Sequence, residues 1–155
     1  APEYGENVPF RPVHLAEHLV RCLRQQEDRI RPLNMRVAYQ RPCASRYTPE
    51  KEPFVDELFE RVGVRRVDRE YDRERALCCA GVMLLLGNGD PRPHQEKNIL
   101  DATANGAQAM VCLCPMCLHN LAGVAGEHRL PLIFIGDLVR MAIGEIPPPK
   151  FSGEV

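Results

Sequence analysis

Seven cysteines are the residues of this chain with the greatest capacity for chemistry. They lie at positions 22, 43, 78, 79, 112, 114 and 117 of the 155 residues. An odd number of cysteines makes a poor disulfide framework, and clustered cysteines outside a secreted protein indicate metal binding or redox chemistry. We therefore expect the cysteines to hold a metal centre or to cycle between thiol and disulfide.

Five of the cysteines form a regular pattern: Cys43, the adjacent pair Cys78 and Cys79, and the segment from Cys114 to Cys117. The two intervals between these groups are 34 residues each. Structural zinc and a cubane iron–sulfur cluster each take four protein ligands. A fifth cysteine and an adjacent pair fit a larger or irregular cluster better, in which one sulfur bridges two irons.

Two other kinds of site remain open on the residues alone. Four of the five thiolates suffice for a structural zinc ion. The Cys114-Pro-Met-Cys117 segment, between a predicted strand and a predicted helix, has the local context of a dithiol oxidoreductase. The dithiol hypothesis gives Cys43, Cys78 and Cys79 no role.

Hydrophobic periodicity predicts an α/β fold, because one helix is followed by alternating strands and helices. We expect a small parallel, Rossmann-like sheet with helices on both faces. The predicted strands are residues 35–40, 64–67, 109–113 and 131–135, and the predicted helices are residues 13–26, 53–62, 77–86, 94–105, 116–124 and 137–143. The helix over 77–86 is very apolar, so we expect it to be buried and to begin at the adjacent cysteines.

This fold brings the five cysteines to one edge of the sheet. Cys43 lies just past the first predicted strand and Cys114 at the end of the third, and parallel strands place such residues at the carboxyl edge, where ligands bind. Cys78, Cys79 and Cys117 fall at predicted helix starts, where the helix dipole stabilises a thiolate. We therefore predict one cysteine site at the carboxyl edge.

Composition excludes several other classes of protein. With 45% hydrophobic and 26% charged residues, the chain is typical of a globular domain, and a net charge of −1 does not favour nucleic-acid binding. The longest uncharged apolar run, residues 76–86, is too short to cross a membrane. We expect a cytoplasmic protein with one domain over residues 1–155, a linker-like start at 1–12 and a proline-containing tail at 144–155.

The five-cysteine pattern resembles the motif C-x(31–39)-C-C-G-x(35–36)-C-x-x-C. This motif marks the cysteine-rich CCG domain in the B-type subunit of heterodisulfide reductase and its relatives. The segments VAYQRPC before Cys43 and GAQAMVCLCPMCLHNL around Cys114 are similar to the second, C-terminal half-domain of that family. Three features depart from the pattern: Ala80 replaces the motif glycine, the second interval is shorter than in the motif, and this chain has one motif where the B-type subunit has two.

The resemblance implies a function and a ligand set. In that family the five cysteines hold a noncubane [4Fe-4S] cluster, which implies Cys43, Cys78, Cys79, Cys114 and Cys117 as ligands. The implied function is an iron–sulfur module for electron transfer or disulfide reduction, as part of an oxidoreductase. The implied partners are ferredoxin-like and flavin subunits and a disulfide substrate, without nucleic acid or membrane insertion.

The remaining two cysteines are expected to pack rather than to bind metal. Cys22 lies on the apolar stripe of the first predicted helix. Cys112 alternates with Cys114 along a strand and points the same way, which predicts a position in the core or behind the ligands.

Overall fold

A four-stranded parallel sheet organises the chain. The computed structural model describes residues 11–87 and 89–150. Its elements are α1 (Leu15–Arg24), β1 (Met35–Gln40), α2 (Glu52–Arg61), β2 (Val64–Arg66), α3 (Gly81–Leu86), α4 (Arg92–Ala104), β3 (Ala109–Cys112), α5 (Pro115–Glu127), β4 (Leu132–Phe134) and α6 (Ile135–Ala142). The strand order is β2-β1-β3-β4, and every pair is parallel. The predicted α/β fold is confirmed.

Helices cover both faces of the sheet. Alternate residues along the strands pack into two separate hydrophobic cores, one on each face. In β1, Val37 and Tyr39 pack into the core formed with α1, α2 and α6, whereas Ala38 packs into the core formed with α4 and α5. This alternation follows from the two-residue period of a strand. Since both faces are buried, the ends of the strands are where the sheet can offer a site.

The register of the two central strands sets the positions of Cys43 and Cys114. Gln40, the last residue of β1, pairs with Cys112, the last residue of β3. The chain leaves both strands at the same level, and Cys43 and Cys114 follow within three residues. The predicted placement of these two cysteines at the carboxyl edge is therefore confirmed.

The helix predicted over residues 77–86 is only partly correct. It begins at Gly81, so Cys78 and Cys79 precede it, because Ala80 has a left-handed conformation (φ 62°, ψ 17°) that cannot continue a right-handed helix. The predicted burial is wrong, because no residue of α3 is buried and Leu85 is 79% exposed. No second layer of the described residues covers this short helix, so apolarity alone did not determine its position.

The predicted chain ends lie mostly beyond what the structure describes. Of the linker-like start, residues 1–10 lie outside the described residues, as do residues 151–155 of the proline-containing tail. Among the described residues, no helix has both the length and the apolarity needed to cross a membrane.

Candidate metal centre

The five predicted site cysteines lie on two loops and at one helix start. Cys43 opens a 3-10 turn after β1 and is exposed, and Cys78 and Cys79 occupy the loop before α3, half-buried and buried respectively. Cys114 is the N-cap of α5 and is half-buried, and Cys117 lies buried in the first turn of that helix. Residues far apart in sequence thus meet at the carboxyl edge of β1 and β3.

Packing contacts bring these cysteines into one group. Cys78, Cys79, Cys114 and Cys117 lie in the same packed cluster, and Cys43 and Cys78 line one small cavity. Cys114 lies close enough to Cys117 for its charge to raise the pKa of that thiol. All five predicted residues are therefore brought together.

The Cys79 sulfur is the anionic member of the group. Asn120 Nδ2 donates to it at 3.5 Å. The neighbouring Cys117 thiol lowers the pKa of Cys79 to about 5, helped by Asn120, the Gly81 N–H and Cys78, and the same interaction raises the pKa of Cys117. Soft thiolate sulfur in this state is the form that binds iron or zinc.

The backbone around the adjacent cysteines is tightly constrained. Ala80 adopts φ 62°, a left-handed conformation that glycine adopts without steric penalty. This backbone conformation explains why the motif has glycine at the position of Ala80. A Cβ at Gly81 would lie 2.7 Å from Asn120 Nδ2 and 3.5 Å from Cys79 Sγ. Glycine at position 81 therefore lets the Asn120 amide approach the sulfur.

A buried polar network holds the loop that carries Cys78 and Cys79. Gln40 Nε2 donates to the carbonyl oxygen of Leu77 at 2.9 Å, and Gln40 Oε1 accepts from Asn98 Nδ2 at 2.5 Å. Arg69 donates to Asn98 Oδ1 at 2.8 Å and to the carbonyl oxygen of Tyr39 at 3.0 Å. These bonds fasten the loop to the end of β1 and to α4.

A second set of hydrogen bonds reaches the site from α4. The buried side chain of Gln95 donates to the carbonyl oxygen of Cys79 at 3.3 Å and to that of Asn120 at 3.0 Å. It thereby ties the cysteine loop to α5, so that Asn120 and Cys79 keep their separation. Gln40, Asn98, Gln95 and Asn120 are positioning residues that the sequence reasoning missed, since no spacing pattern distinguishes a buried amide from an exposed one.

A small cavity of about 50 Å³ lies between Cys43 and Cys78, and Arg41 and Arg46 contribute to its lining. Arg41 is itself fixed, because it donates to Glu52 Oε1 at 3.2 Å and to the carbonyl oxygen of Arg73 at 2.9 Å. The cavity therefore adjoins the sulfurs of Cys43 and Cys78 and has two arginines in its wall.

The chemistry of the donor set fits an iron–sulfur cluster. Within residues 11–87 and 89–150, no three His, Cys, Asp or Glu side chains surround one ion position. Cys78, Cys79, Cys114 and Cys117 pack together, and Cys43 meets Cys78 at a small cavity. Soft sulfur donors with N–H groups directed at them suit a cluster of several irons, whose charge such donors stabilise.

The other two cysteines lie away from this group or behind it. Cys22 is half-buried on α1, with its sulfur 3.6 Å from His18 Nε2. Cys112 is fully buried at the end of β3, and burial raises the pKa of its thiol to about 12. Cys112 therefore packs behind the site as a neutral thiol, as predicted.

Comparison with known proteins places this arrangement in a family. The model of the cysteine-rich CCG domain matches residues 37–122, which include all five cysteines. The D-type subunit of dihydromethanophenazine:CoB–CoM heterodisulfide reductase from Methanosarcina mazei is 29% identical over 157 residues, covering 90% of this chain and 36% of the relative. Its counterpart from Methanosarcina acetivorans is 31% identical over 123 residues, covering 76% and 30%.

This chain spans about a third of the length of these curated relatives. The matched region, more than half of the chain, covers the strands, loops and helix start that carry the thiols. The chain therefore belongs to the cysteine-rich CCG domain family.

Proposed function

We propose that this chain is the iron–sulfur redox module of a heterodisulfide reductase-like complex. Its five cysteines Cys43, Cys78, Cys79, Cys114 and Cys117 would hold a noncubane [4Fe-4S] cluster, the arrangement expected from the sequence. Bound there, such a cluster supplies one-electron chemistry and an iron atom that can take a substrate sulfur.

The observation that carries the proposal is the convergence of the five thiols. Cys117 packs in the same cluster as Cys79, 38 residues earlier in the chain, and Asn120 of the same helix donates to the Cys79 sulfur at 3.5 Å. A dithiol oxidoreductase built on Cys114 and Cys117 has no use for that long-range link. A single tetrahedral zinc ion leaves one of the five thiols without a role.

The protein's own residues support a charged centre at this place. Asn120 and the Gly81 N–H donate to the Cys79 sulfur and stabilise it as a thiolate. Gln40 and Gln95 hold the loop carbonyls of Leu77 and Cys79 so that the sulfurs keep their spacing. Such prepositioned donors reduce the reorganisation needed when the charge of the centre changes.

The relatives support the wider assignment. Both are named as a D-type subunit of a heterodisulfide reductase, which implies further subunits as partners. We propose that electrons reach the centre from ferredoxin-like or flavin-containing subunits, and that a disulfide is the substrate. We also propose that the chain corresponds to one CCG module of the kind that occurs twice in the B-type subunit, in its C-terminal copy.

Metal analysis tests the proposal. The 155-residue chain is purified anaerobically, and iron, acid-labile sulfide and zinc are measured per chain. About four irons with four sulfides support the proposed cluster. One zinc without sulfide would instead support a structural zinc module. Neither metal, together with a reversible disulfide between Cys114 and Cys117, would support the dithiol oxidoreductase.

A further inference from the structure

A cavity of about 370 Å³ lies at the amino edge of the sheet, at the opposite end of the strands from the cysteines. Its lining includes Arg36 near the start of β1, Gln108 just before β3 and Pro131 just before β4. The volume is within the range of pockets that bind small molecules. The cavity is therefore a candidate binding site separate from the candidate metal centre.

The lining of this cavity collects basic side chains from separate parts of the fold. They come from β1, the end of α5, the turn after it and the segment after α6: Arg36, His128, Arg129 and Lys150. Of the described residues, no Asp or Glu contributes to the lining. A cleft lined by charges of one sign focuses their field and concentrates ions of the opposite sign. The lining therefore favours an anionic ligand.

The two arginines of the cavity are not neutralised by the described part of the chain. Glu127 precedes His128, but its carboxylate forms an ion pair with Arg92. The ion pairs among the described residues include neither Arg36 nor Arg129. Both guanidinium groups are exposed and can bind an anion that enters the cavity.

Arg36 is held in position by the start of β3. Its backbone N–H donates to Gln108 Oε1 at 2.9 Å, and the backbone N–H of Gln108 donates to the Arg36 carbonyl oxygen at 2.8 Å. A Cβ at Gly106 would lie 3.2 Å from Arg36 Nη1, so glycine leaves room for the guanidinium beside this turn. Gln108 uses its amide oxygen in this contact, and its Nε2 is the group that can donate to a ligand.

Arg129 occupies a backbone conformation that disfavours arginine. Its φ of 54° is in the left-handed region, which glycine and asparagine adopt at lower cost. The position follows the end of α5, where glycine is the usual residue. Arginine here supplies the cavity with a guanidinium that neither of the favoured residues has.

We propose that this cavity binds the phosphate group of a small anionic molecule. A phosphate offers three strong acceptor oxygens to donors that approach from several directions, whereas a planar carboxylate offers two. The fork of a guanidinium matches phosphate geometry. Because no cysteine takes part, the inference does not depend on the proposed iron–sulfur function.

An NMR titration of the isotope-labelled 155-residue chain with inorganic phosphate tests the site, with sodium chloride at equal ionic strength as the reference. The backbone amides of Gln108 and Arg129 are expected to shift and to saturate. Arg36→Gln and Arg129→Asn should each weaken phosphate binding about tenfold, because each removes a charged donor. Arg65→Gln is the matched control and should leave binding unchanged, since Arg65 is exposed on the edge strand β2.

Three results would overturn the phosphate site. The first is a shift of these amides by phosphate no larger than the shift by chloride. The second is an equal loss of binding in Arg65→Gln, which would mean that only net charge matters. The third is binding of the dicarboxylate malonate as tight as that of phosphate. If Arg36→Gln folds poorly, Arg129→Asn decides, because asparagine suits the left-handed backbone.

Discussion

The side-chain amide of Gln40 donates to the carbonyl oxygen of Leu77 at 2.9 Å and so fixes the end of β1 to the loop that carries Cys78. Gln40 also accepts from Asn98 of α4. A single buried residue thus connects the sheet, the loop and a helix. The geometry of the cysteine group depends on such uncharged contacts as much as on the cysteines.

Replacing Gln40 by leucine is expected to loosen the site and to lower the free energy of unfolding by about 1–3 kcal/mol. The reason is that the Leu77 carbonyl and the Asn98 amide each lose a buried partner. Urea unfolding of the metal-free chain measures the stability, and iron per chain measures the site. Gln25→Leu is the control, since Gln25 is exposed; equal losses from both variants would contradict the role of Gln40.

Cys79→Ser is expected to remove or convert the bound cluster, whereas Cys22→Ser leaves it intact. Serine offers a hard oxygen in place of a soft thiolate that neighbouring donors stabilise in the native chain. Cys22 lies on α1 and contacts His18. Iron and sulfide per chain after anaerobic purification decide the matter, and equal loss from both variants would refute the ligand assignment.

The metal-free chain is expected to contain one thiol that ionises with a pKa of about 5. Cys79 is stabilised as a thiolate by the Cys117 thiol and the Asn120 amide, so its thiolate absorbance in the ultraviolet should persist at neutral pH and disappear on acidification. The low value belongs to the Cys79–Cys117 pair. Cys117→Ala should therefore raise it, and a titration unchanged by that substitution would argue against the interaction between the two thiols.

Gly81→Ala is expected to displace the Asn120 amide from the Cys79 sulfur. The added Cβ would lie 2.7 Å from Asn120 Nδ2, and the flexible amide is the group that can move. Iron binding should weaken while the stability changes by less than about 1 kcal/mol. Gly123→Ala in α5 is the matched control, because its Cβ would meet nothing within 4 Å, and it should increase stability without affecting iron.

Leu85→Ala is expected to change the free energy of unfolding by no more than about 0.5 kcal/mol, because α3 is exposed. Leu58→Ala, in the fully buried part of α2, should lower it by about 2–5 kcal/mol. Urea unfolding of the two variants makes the comparison. A large loss from Leu85→Ala would mean that α3 is buried after all, as its apolar sequence suggested.

Sequence alone determined the fold class, the approximate bounds of most helices and strands, and the expectation that Cys43 and Cys114 meet at one edge. These features follow from local periodicity and from the geometry of parallel sheets, which nearby residues specify. The bounds of β1 were predicted to the residue, since Pro42 cannot donate to a sheet ladder and so stops the strand.

Only the tertiary structure decided the exposure of α3, the left-handed turn at Ala80, and the amide network of Gln40, Gln95, Asn98 and Asn120. It also brought Arg36 and Arg129 to one cavity at the amino edge of the sheet. The reason is physical: burial and hydrogen bonding depend on which distant segments pack together. The type of a residue and its spacing from others do not specify those long-range contacts.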